Sequence, residues 1–168
     1  MRIVAISGSL RTSSSTSAVL RLAAEVAPAD VEVAFYEGIG DLPHFTPDLD
    51  GDEPPPPVQA LRATLRGADA LLICTTEYAH GMPGSLKNML DWLVSGPELV
   101  GKRGAALSAS PSADGGRYAQ AWLVQTLEVM STNVVATLTV PFVKNRLATN
   151  DEKLREELRD VLYRLGSM

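Results

Sequence analysis

The feature that most constrains the fold of this chain is a regular alternation of short apolar runs with longer segments in which apolar residues recur at helical spacing. Several of the runs are apolar at consecutive positions, which is typical of parallel strands covered by helices on both faces. The predicted strands are residues 2–7, 31–36, 69–75, 103–109 and 134–140. This order predicts a doubly wound α/β/α sandwich, in which ligands bind at the carboxyl ends of the strands.

Helical spacing predicts one helix after each strand. The predicted helices include the apolar positions within residues 19–26, 56–67, 86–93, 119–130 and 154–165, and Asn150 or Thr149 is the expected N-cap of the last one. The second helix follows four prolines, residues 54–57, which mark either a domain linker or a stiff surface loop that starts a helix. The segment before the prolines is too short for a separate domain, so we expect residues 1–168 to form a single domain.

Composition narrows the classes of function. Fifteen basic and twenty acidic residues give a net charge of −5, which disfavours a nucleic-acid-binding surface. The chain has one cysteine and two histidines, so neither an internal disulfide nor a Cys/His metal site is expected. We expect no membrane partner, because no apolar run approaches the roughly 20 residues that span a bilayer. Residues 1–7 do not resemble a secretory leader, and together these features predict a cytoplasmic protein.

The segment after the first predicted strand, here called the serine loop (residues 8–16), is the first candidate site. Arg11 is followed by six consecutive hydroxyl residues, 12–17, at the expected start of the first helix. Free backbone N–H groups and the helix dipole favour an anion at such a position, and an arginine fork suits a phosphate. The loop lacks the glycine patterns of nucleotide-triphosphate and dinucleotide sites. Phosphate binding and a solvated loop that supplies an N-cap are both compatible with these residues.

Two further segments follow strands and therefore lie at the same edge of the sheet. Residues 76–92, TEYAHGMPGSLKNMLDW, contain a glycine- and proline-rich turn that could present backbone groups to a polar ring, or could simply be a β-α turn. Within it, Gly81 is expected to need the conformational freedom of glycine. Residues 108–118, SASPSADGGRY, contain Gly115 and Gly116, which would let a ligand or a partner subunit approach the backbone closely.

These segments together resemble the NAD(P)H-dependent FMN reductase family, a flavodoxin-like group that includes quinone, chromate and azo-dye reductases. The pattern G-S-L-R-x-x-S-x-N of that family falls on residues 8–16, and P-E-Y-N-x-x-x-P-G-x-L-K-N-x-x-D-W falls on residues 76–92. Residues 41–50 resemble the family's loop after the second strand. The resemblance implies a five-stranded parallel sheet of order 2-1-3-4-5.

The resemblance also implies bound FMN, with its phosphate in the serine loop, and NAD(P)H as electron donor. The residues that it places against the cofactor are Ser9, Arg11, Ser14, Ser15, Thr16, Thr76, Glu77, Tyr78, Ala79, His80, Gly81, Ser108, Gly115 and Gly116. Three positions depart from the family pattern. Thr16 replaces an asparagine, Thr76 a proline and Ala79 an asparagine, so a side-chain contact to the flavin from position 79 is lost.

Other residues of these segments are expected to be structural. Cys74 is predicted to be an inert core thiol, and Trp122 to belong to the core or to a dimer interface. Lys87, Asn88 and Asp91 are interpreted as capping groups, inter-element hydrogen bonds or subunit contacts. For His80, a contact with substrate or cofactor and a solvated loop position are equally compatible with the sequence.

The resemblance predicts an enzyme that transfers electrons from NADH or NADPH through FMN to quinones, free flavins, chromate or azo compounds. The chemistry then belongs to the flavin, and no catalytic side chain is required. The resemblance further implies a homodimer or a homotetramer. Two alternatives are a flavodoxin-type electron carrier and a regulatory protein whose flavin site has weakened at positions 76 and 79.

Overall fold

All five predicted strands form, and the computed structural model describes residues 1–167. The strands are β1 (Arg2–Ser7), β2 (Glu32–Tyr36), β3 (Ala70–Thr75), β4 (Arg103–Ala109) and β5 (Asn133–Val140). They pair in parallel in the order β2-β1-β3-β4-β5. Both the flavodoxin-like fold class and the strand order that the resemblance implied are therefore confirmed.

The five predicted helices also form, together with a sixth that the sequence did not indicate. The helices are α1 (Ser15–Glu25), α2 (Pro56–Arg66), α3 (Gly84–Asp91), α4 (Arg117–Val129), α5 (Val143–Ala148) and α6 (Glu152–Gly166). Short 3-10 turns at Gly38–Gly40 and Pro47–Leu49 lie between β2 and α2. Pro56 opens α2, where its missing N–H has no intrahelical role, so the proline tract leads into a helix. Helix α5 was missed because its six residues are too few for an amphipathic period.

The expected cap of the last helix was wrong by one residue, because α5 occupies the chain just before it. Thr149 is the C-cap of α5, and Asn150 follows in the left-handed region with a φ of 51°. Asp151 is the N-cap of α6, and its Oδ1 accepts a hydrogen bond of 3.4 Å from the N–H of Leu154.

The side chains of each strand alternate between two apolar layers, as parallel strands covered on both faces require. Ile3 and Ala5 of β1 pack with α1, α5 and α6, whereas Val4 and Ile6 pack with α2, α3 and α4. Trp92 is fully buried in the second layer. Among residues 1–167, no helix is long and apolar enough to cross a membrane.

The parallel arrangement gathers the carboxyl ends of β1, β3 and β4 at one edge, where the topology switches direction between β1 and β3. At this edge the N–H of Gly8 donates to the carbonyl of Cys74 over 2.9 Å. Burial raises the pKa of the Cys74 thiol. The thiol therefore stays protonated, in agreement with the predicted inert core cysteine.

Candidate cofactor site

The serine loop leads from β1 into the N-terminus of α1, as the sequence predicted. Ser14 is the N-cap of α1, and its hydroxyl accepts a 3.2 Å hydrogen bond from the N–H of Thr16. The first turn of a helix leaves several N–H groups without intrahelical partners. Those of Ser15 and Ser17 have no hydrogen-bond partner within the described chain. The loop thus presents donors at the positive end of a helix, which is where an anion binds.

The hydroxyl groups behind this helix start form a connected network around Ser7, the last residue of β1. Ser7 Oγ lies 2.7 Å from the Thr16 hydroxyl and 3.1 Å from that of Ser17, and Thr16 Oγ1 lies 2.5 Å from Ser14 Oγ. Thr16 is only 1% exposed. Its hydroxyl therefore ties α1 to β1, at the position where the family pattern has an asparagine. Ser7 was missed because a lone serine at the end of a strand gives no sequence signal.

A cavity of about 100 Å³ opens at this helix start. It is lined by Ser9, Arg11, Ser14, Ser15, Thr16, Thr76, Tyr78, Ala109, Pro111 and Lys144. The fold brings together seven of the predicted cofactor residues here: Ser9, Arg11, Ser14, Ser15, Thr16, Thr76 and Tyr78. The lining contains two cations and several hydroxyls, and within the described chain it contains no carboxylate. A small space with this lining suits a phosphate group.

A second, larger groove lies on the other side of Ser9 and Arg11. Its volume is about 490 Å³, and it runs between α1 and the segment after β2. Arg21 and Phe35 line it together with Glu37 and Asp41, so its walls carry both signs of charge. Because Ser9 and Arg11 line both spaces, the exposed Arg11 side chain lies at the boundary between the small cavity and the open groove.

The segment after β3, here called the tyrosine turn (residues 76–81), is a tight hairpin. Tyr78 and Gly81 exchange two backbone hydrogen bonds of 3.0 and 2.9 Å. Ala79 and His80 at its tip have φ values of 49° and 59°, as in a type I′ turn, which normally takes glycine or asparagine. The N–H groups of Ala79 and His80 have no hydrogen-bond partner within the described chain.

The expectation that Gly81 needs glycine's freedom was therefore wrong. The φ angle of Gly81 is not positive, and a Cβ at this position would lie 3.5 Å from the Trp122 ring, which is an ordinary van der Waals distance. The strain lies at Ala79 and His80 instead, where an L-residue in the left-handed region costs roughly 1–2 kcal/mol. The sequence did not reveal this because the two hairpin hydrogen bonds, and not the following proline, decide the conformation.

Glu77 connects the tyrosine turn to α4. Its Oε2 accepts hydrogen bonds of 3.0 Å from the N–H groups of both Tyr118 and Ala119, in the first turn of that helix. Gly116, the residue at the N-cap position, has no side chain to do this. The Glu77 carboxylate thus caps α4 from another segment, and the charge of the carboxylate also favours the positive helix end.

Four aromatic rings lie at the tyrosine turn, two from the turn itself and two from α4. The His80 ring meets that of Tyr118 edge to face at 4.6 Å, and His80 Nδ1 lies 3.3 Å from Glu77 Oε1. Tyr78 is exposed, and Trp122, which lies against Gly81, is 58% exposed. The core position considered for Trp122 is therefore wrong, since the apolar stripe of α4 that faces the core consists of Ala119, Leu123 and Leu127.

The loop after β4 packs its glycines against protein. A Cβ at Gly115 would lie 2.4 Å from the Thr139 side chain and 2.9 Å from the backbone of Pro141, so the close approach there is to β5. Gly116 has a φ of 84° and lies next to Glu77 and Ser108. Ser108 is fully buried, and its hydroxyl has no hydrogen-bond partner among residues 1–167. Of these three predicted residues, Gly116 lies against Glu77 of the site, whereas Gly115 packs against β5 and Ser108 is buried.

Asp114 holds this loop together and was also missed. Its Oδ1 accepts a 2.5 Å hydrogen bond from the Ser112 hydroxyl and one of 3.5 Å from the N–H of Gly116. The Ser112 hydroxyl, and to a lesser extent the Gly116 N–H, lower the pKa of the Asp114 carboxyl. An aspartate two residues before a glycine is a signal for such a turn, and it could have been recognised.

The end of the second motif, residues 87–92, has a structural role. The Asn88 side chain accepts from the N–H of Phe45 over 2.8 Å and donates to the carbonyl of Pro43, which Trp92 Nε1 also contacts. Lys87 pairs with Asp91 one turn along α3. Asn88 thus fixes the loop after β2, in agreement with its interpretation as an inter-element contact, whereas the Lys87–Asp91 pair lies within α3.

Comparison with known proteins agrees with this geometry. A family model described as NADPH-dependent FMN reductase matches residues 1–145. An NAD(P)H-dependent FMN reductase of Pseudomonas aeruginosa is 35% identical over 98% of this chain and 93% of its own length. A quinone reductase of Escherichia coli K12 is 36% identical over 80% of this chain and 73% of its own.

Solved structures show the same fold. The flavoenzyme NAD(P)H:(acceptor) oxidoreductase FerB of Paracoccus denitrificans superposes with a TM-score of 0.77 at 26% identity, over 99% of both chains. An archaeal flavodoxin superposes with a TM-score of 0.62 at 18% identity over 99% of this chain and all of its own, which shows likeness of fold alone.

Proposed function

This chain belongs to the family of NADPH-dependent FMN reductases, and on that premise we propose how its residues carry out the activity. It is an oxidoreductase that uses NAD(P)H and FMN and reduces small-molecule acceptors, of which quinones are the class named for its relatives. FMN, when bound, supplies the electron exchange with the nicotinamide. The role of the protein is to bind the flavin, orient it and leave one face of the ring accessible.

The phosphate end is assigned to the serine loop. The observation that supports this assignment is the small cavity at the N-terminus of α1. Its lining contains Arg11 and hydroxyl groups but no carboxylate within the described chain. Ser9, Ser14 and Ser15 contribute hydroxyl or backbone donors there, and Thr16 and Ser7 hold the loop in shape from behind. A rigid set of donors reduces the entropy lost on binding.

The ring end is assigned to the tyrosine turn. The unpartnered N–H groups of Ala79 and His80 at its tip are suited to the polar edge of the isoalloxazine ring, and Tyr78 offers an aromatic face. Glu77 holds the turn through its hydrogen bonds to α4 and Gly81 through its pairing with Tyr78, while Thr76 lines the small cavity. Because backbone groups make these contacts, the loss of the family's asparagine at position 79 is compatible with flavin binding.

Ser108, Gly115 and Gly116 support this end indirectly. Gly116 lies against both Glu77 and Ser108, and Gly115 anchors the loop to β5. They thus keep the start of α4 at the distance that the Glu77 hydrogen bonds require.

A second copy of the chain is proposed as the partner, giving a homodimer or a tetramer of dimers. Exposed aromatic residues cluster beside the tyrosine turn: Tyr78, Tyr118 and Trp122, with Val129 further along α4. Apolar patches of this kind mark interaction sites. Light scattering at micromolar concentration should give at least twice the chain mass of 17.9 kDa, and a monomer would contradict this proposal. A cytoplasmic location, where NAD(P)H is supplied, is proposed with it.

Two measurements test the function. Flavin released by acid from the reconstituted protein should be FMN on chromatography, and recovery of FAD would contradict the assignment of the small cavity. With O2 excluded, steady oxidation of NADH or NADPH should then require an added acceptor such as a quinone. A protein that binds FMN but does not turn over would be an electron carrier, and one that binds no flavin would be the regulatory alternative.

A further inference from the structure

Lys144 lies at the small cavity although it is far from the serine loop in sequence. It belongs to α5, the helix that follows β5, and it lines the cavity together with Arg11 and the serines of the first loop. Nothing in the sequence patterns of the first loop indicates a residue from this part of the chain.

The backbone around Lys144 is held against the site. The N–H of Val143 donates to the carbonyl of Ser110 over 3.1 Å, and that of Phe142 donates to the carbonyl of Ser112 over 3.2 Å. The Val143 side chain is fully buried in the apolar layer under α1. Helix α5 is therefore attached to the loop after β4, and Lys144 starts from a fixed position at the cavity.

The charge of Lys144 is not used elsewhere in residues 1–167. Lys87 pairs with Asp91, and Lys102 donates to the carbonyl of Ala68. Arg146, the next cation of α5, pairs with Asp151 and Glu157. Lys144 is exposed and forms no ion pair with any described residue.

We propose that Lys144 is the second cation of the phosphate site and that, together with Arg11, it makes the protein select FMN over riboflavin. This inference rests on the proposed function, because it assigns a residue to the same site. A phosphate monoester carries a charge of about −1.5 to −2 at pH 7, so a single arginine leaves part of that charge unbalanced. An ammonium on a flexible stem binds phosphate as a point charge and complements the planar arginine fork.

The test measures flavin affinity by quenching of flavin fluorescence, with FMN and riboflavin as the two ligands. Lys144→Met should raise the dissociation constant for FMN by about 5- to 20-fold, the scale of an exposed charge-assisted contact. The constant for riboflavin should change by less than about twofold, because riboflavin has no phosphate. Lys144→Arg keeps the charge and should restore most of the FMN affinity.

Lys153→Met is the matched control, since Lys153 is an exposed lysine of α6 outside the cavity. It should leave both affinities unchanged. The difference between wild type and Lys144→Met should also shrink at 1 M salt, where the screening length is about 3 Å. A Lys144→Met protein that binds FMN like wild type, or that loses FMN and riboflavin equally, would overturn the inference. A wild-type protein that binds no FMN would overturn the proposed function as well.

Discussion

The two ends of the candidate site are held in shape by different chemistry. At the serine loop, neutral hydroxyls of Ser7, Ser14 and Thr16 bond to one another and to the backbone. At the tyrosine turn and the loop after β4, two carboxylates, Glu77 and Asp114, hold backbone N–H groups. The charged groups at the serine loop are therefore available to a ligand. The carboxylates at the tyrosine turn and the loop after β4 instead maintain the protein's own geometry.

This difference predicts that variants at the two ends separate by the ligand that they affect. Arg11→Ala should weaken FMN binding by about 1.5–3 kcal/mol, the usual scale for a hydrogen bond to a charged group. Riboflavin should be affected much less, because it lacks the phosphate. Fluorescence titration with both flavins measures this, and Arg21→Ala, on the wall of the larger groove, is the control. Equal losses for the two flavins would show that Arg11 does not contact the phosphate.

Glu77→Ala should give the opposite pattern. It removes the acceptor for two N–H groups of α4, so thermal or denaturant unfolding should show a loss of about 1–2 kcal/mol. FMN and riboflavin should lose affinity together, since both present the same ring to the tyrosine turn. Glu128→Ala, an exposed glutamate later in α4, serves as control and should have little effect. Selective loss of FMN alone would contradict the assignment of this turn to the ring.

The strain in the tyrosine turn gives a third comparison. Ala79→Gly should stabilise the protein by about 0.5–1 kcal/mol, because glycine adopts positive φ without steric cost. Ala79→Asn should have a smaller effect of the same sign, since asparagine tolerates this region. Ala60→Gly, in the exposed interior of α2, should instead destabilise by about the same amount.

Gly81→Ala is the companion measurement, because this glycine has no positive φ. Its added Cβ would make an ordinary contact with Trp122, so denaturant unfolding and flavin titration should both change little. If Gly81→Ala abolishes flavin binding while Ala79→Gly leaves stability unchanged, the placement of strain at the tip of the turn is wrong.

The serine loop could be predicted from sequence because its signal is local. Arg11 and the hydroxyl run directly follow a strand, and the fold class alone decides that this position is a helix N-terminus at the ligand edge. The network around Ser7 could not be predicted, since any of several hydroxyls could have bonded to any other. The position of Lys144 could not be predicted either, because α5 reaches the cavity only through the packing of β5 beside β4.

The tyrosine turn shows a different limit of prediction from the sequence. Its motif identified the residues, but Glu77 acts on a helix that begins forty residues later, and Trp122 is exposed because the core stripe of α4 runs along its other side. The positive φ values at Ala79 and His80 follow from hairpin closure and not from residue type. Motif position was thus a better guide than residue preference at this end.

The last comparison concerns the effect of acid on the two ends of the site. Asp114 has a pKa below its ordinary value, first because of the Ser112 hydroxyl. The contribution of Asp114 to stability is therefore complete above the unfolded pKa of about 4 and is lost as the pH falls through the lowered folded pKa. Asp114→Asn should lower the Tm at pH 7, and the gap to wild type should narrow toward pH 3. Asp30→Asn, an exposed control, should show no such gap. Since the serine loop is held by neutral hydroxyls, fluorescence of bound flavin should report loosening first at the ring end, and a gap that widens in acid would contradict this role for Asp114.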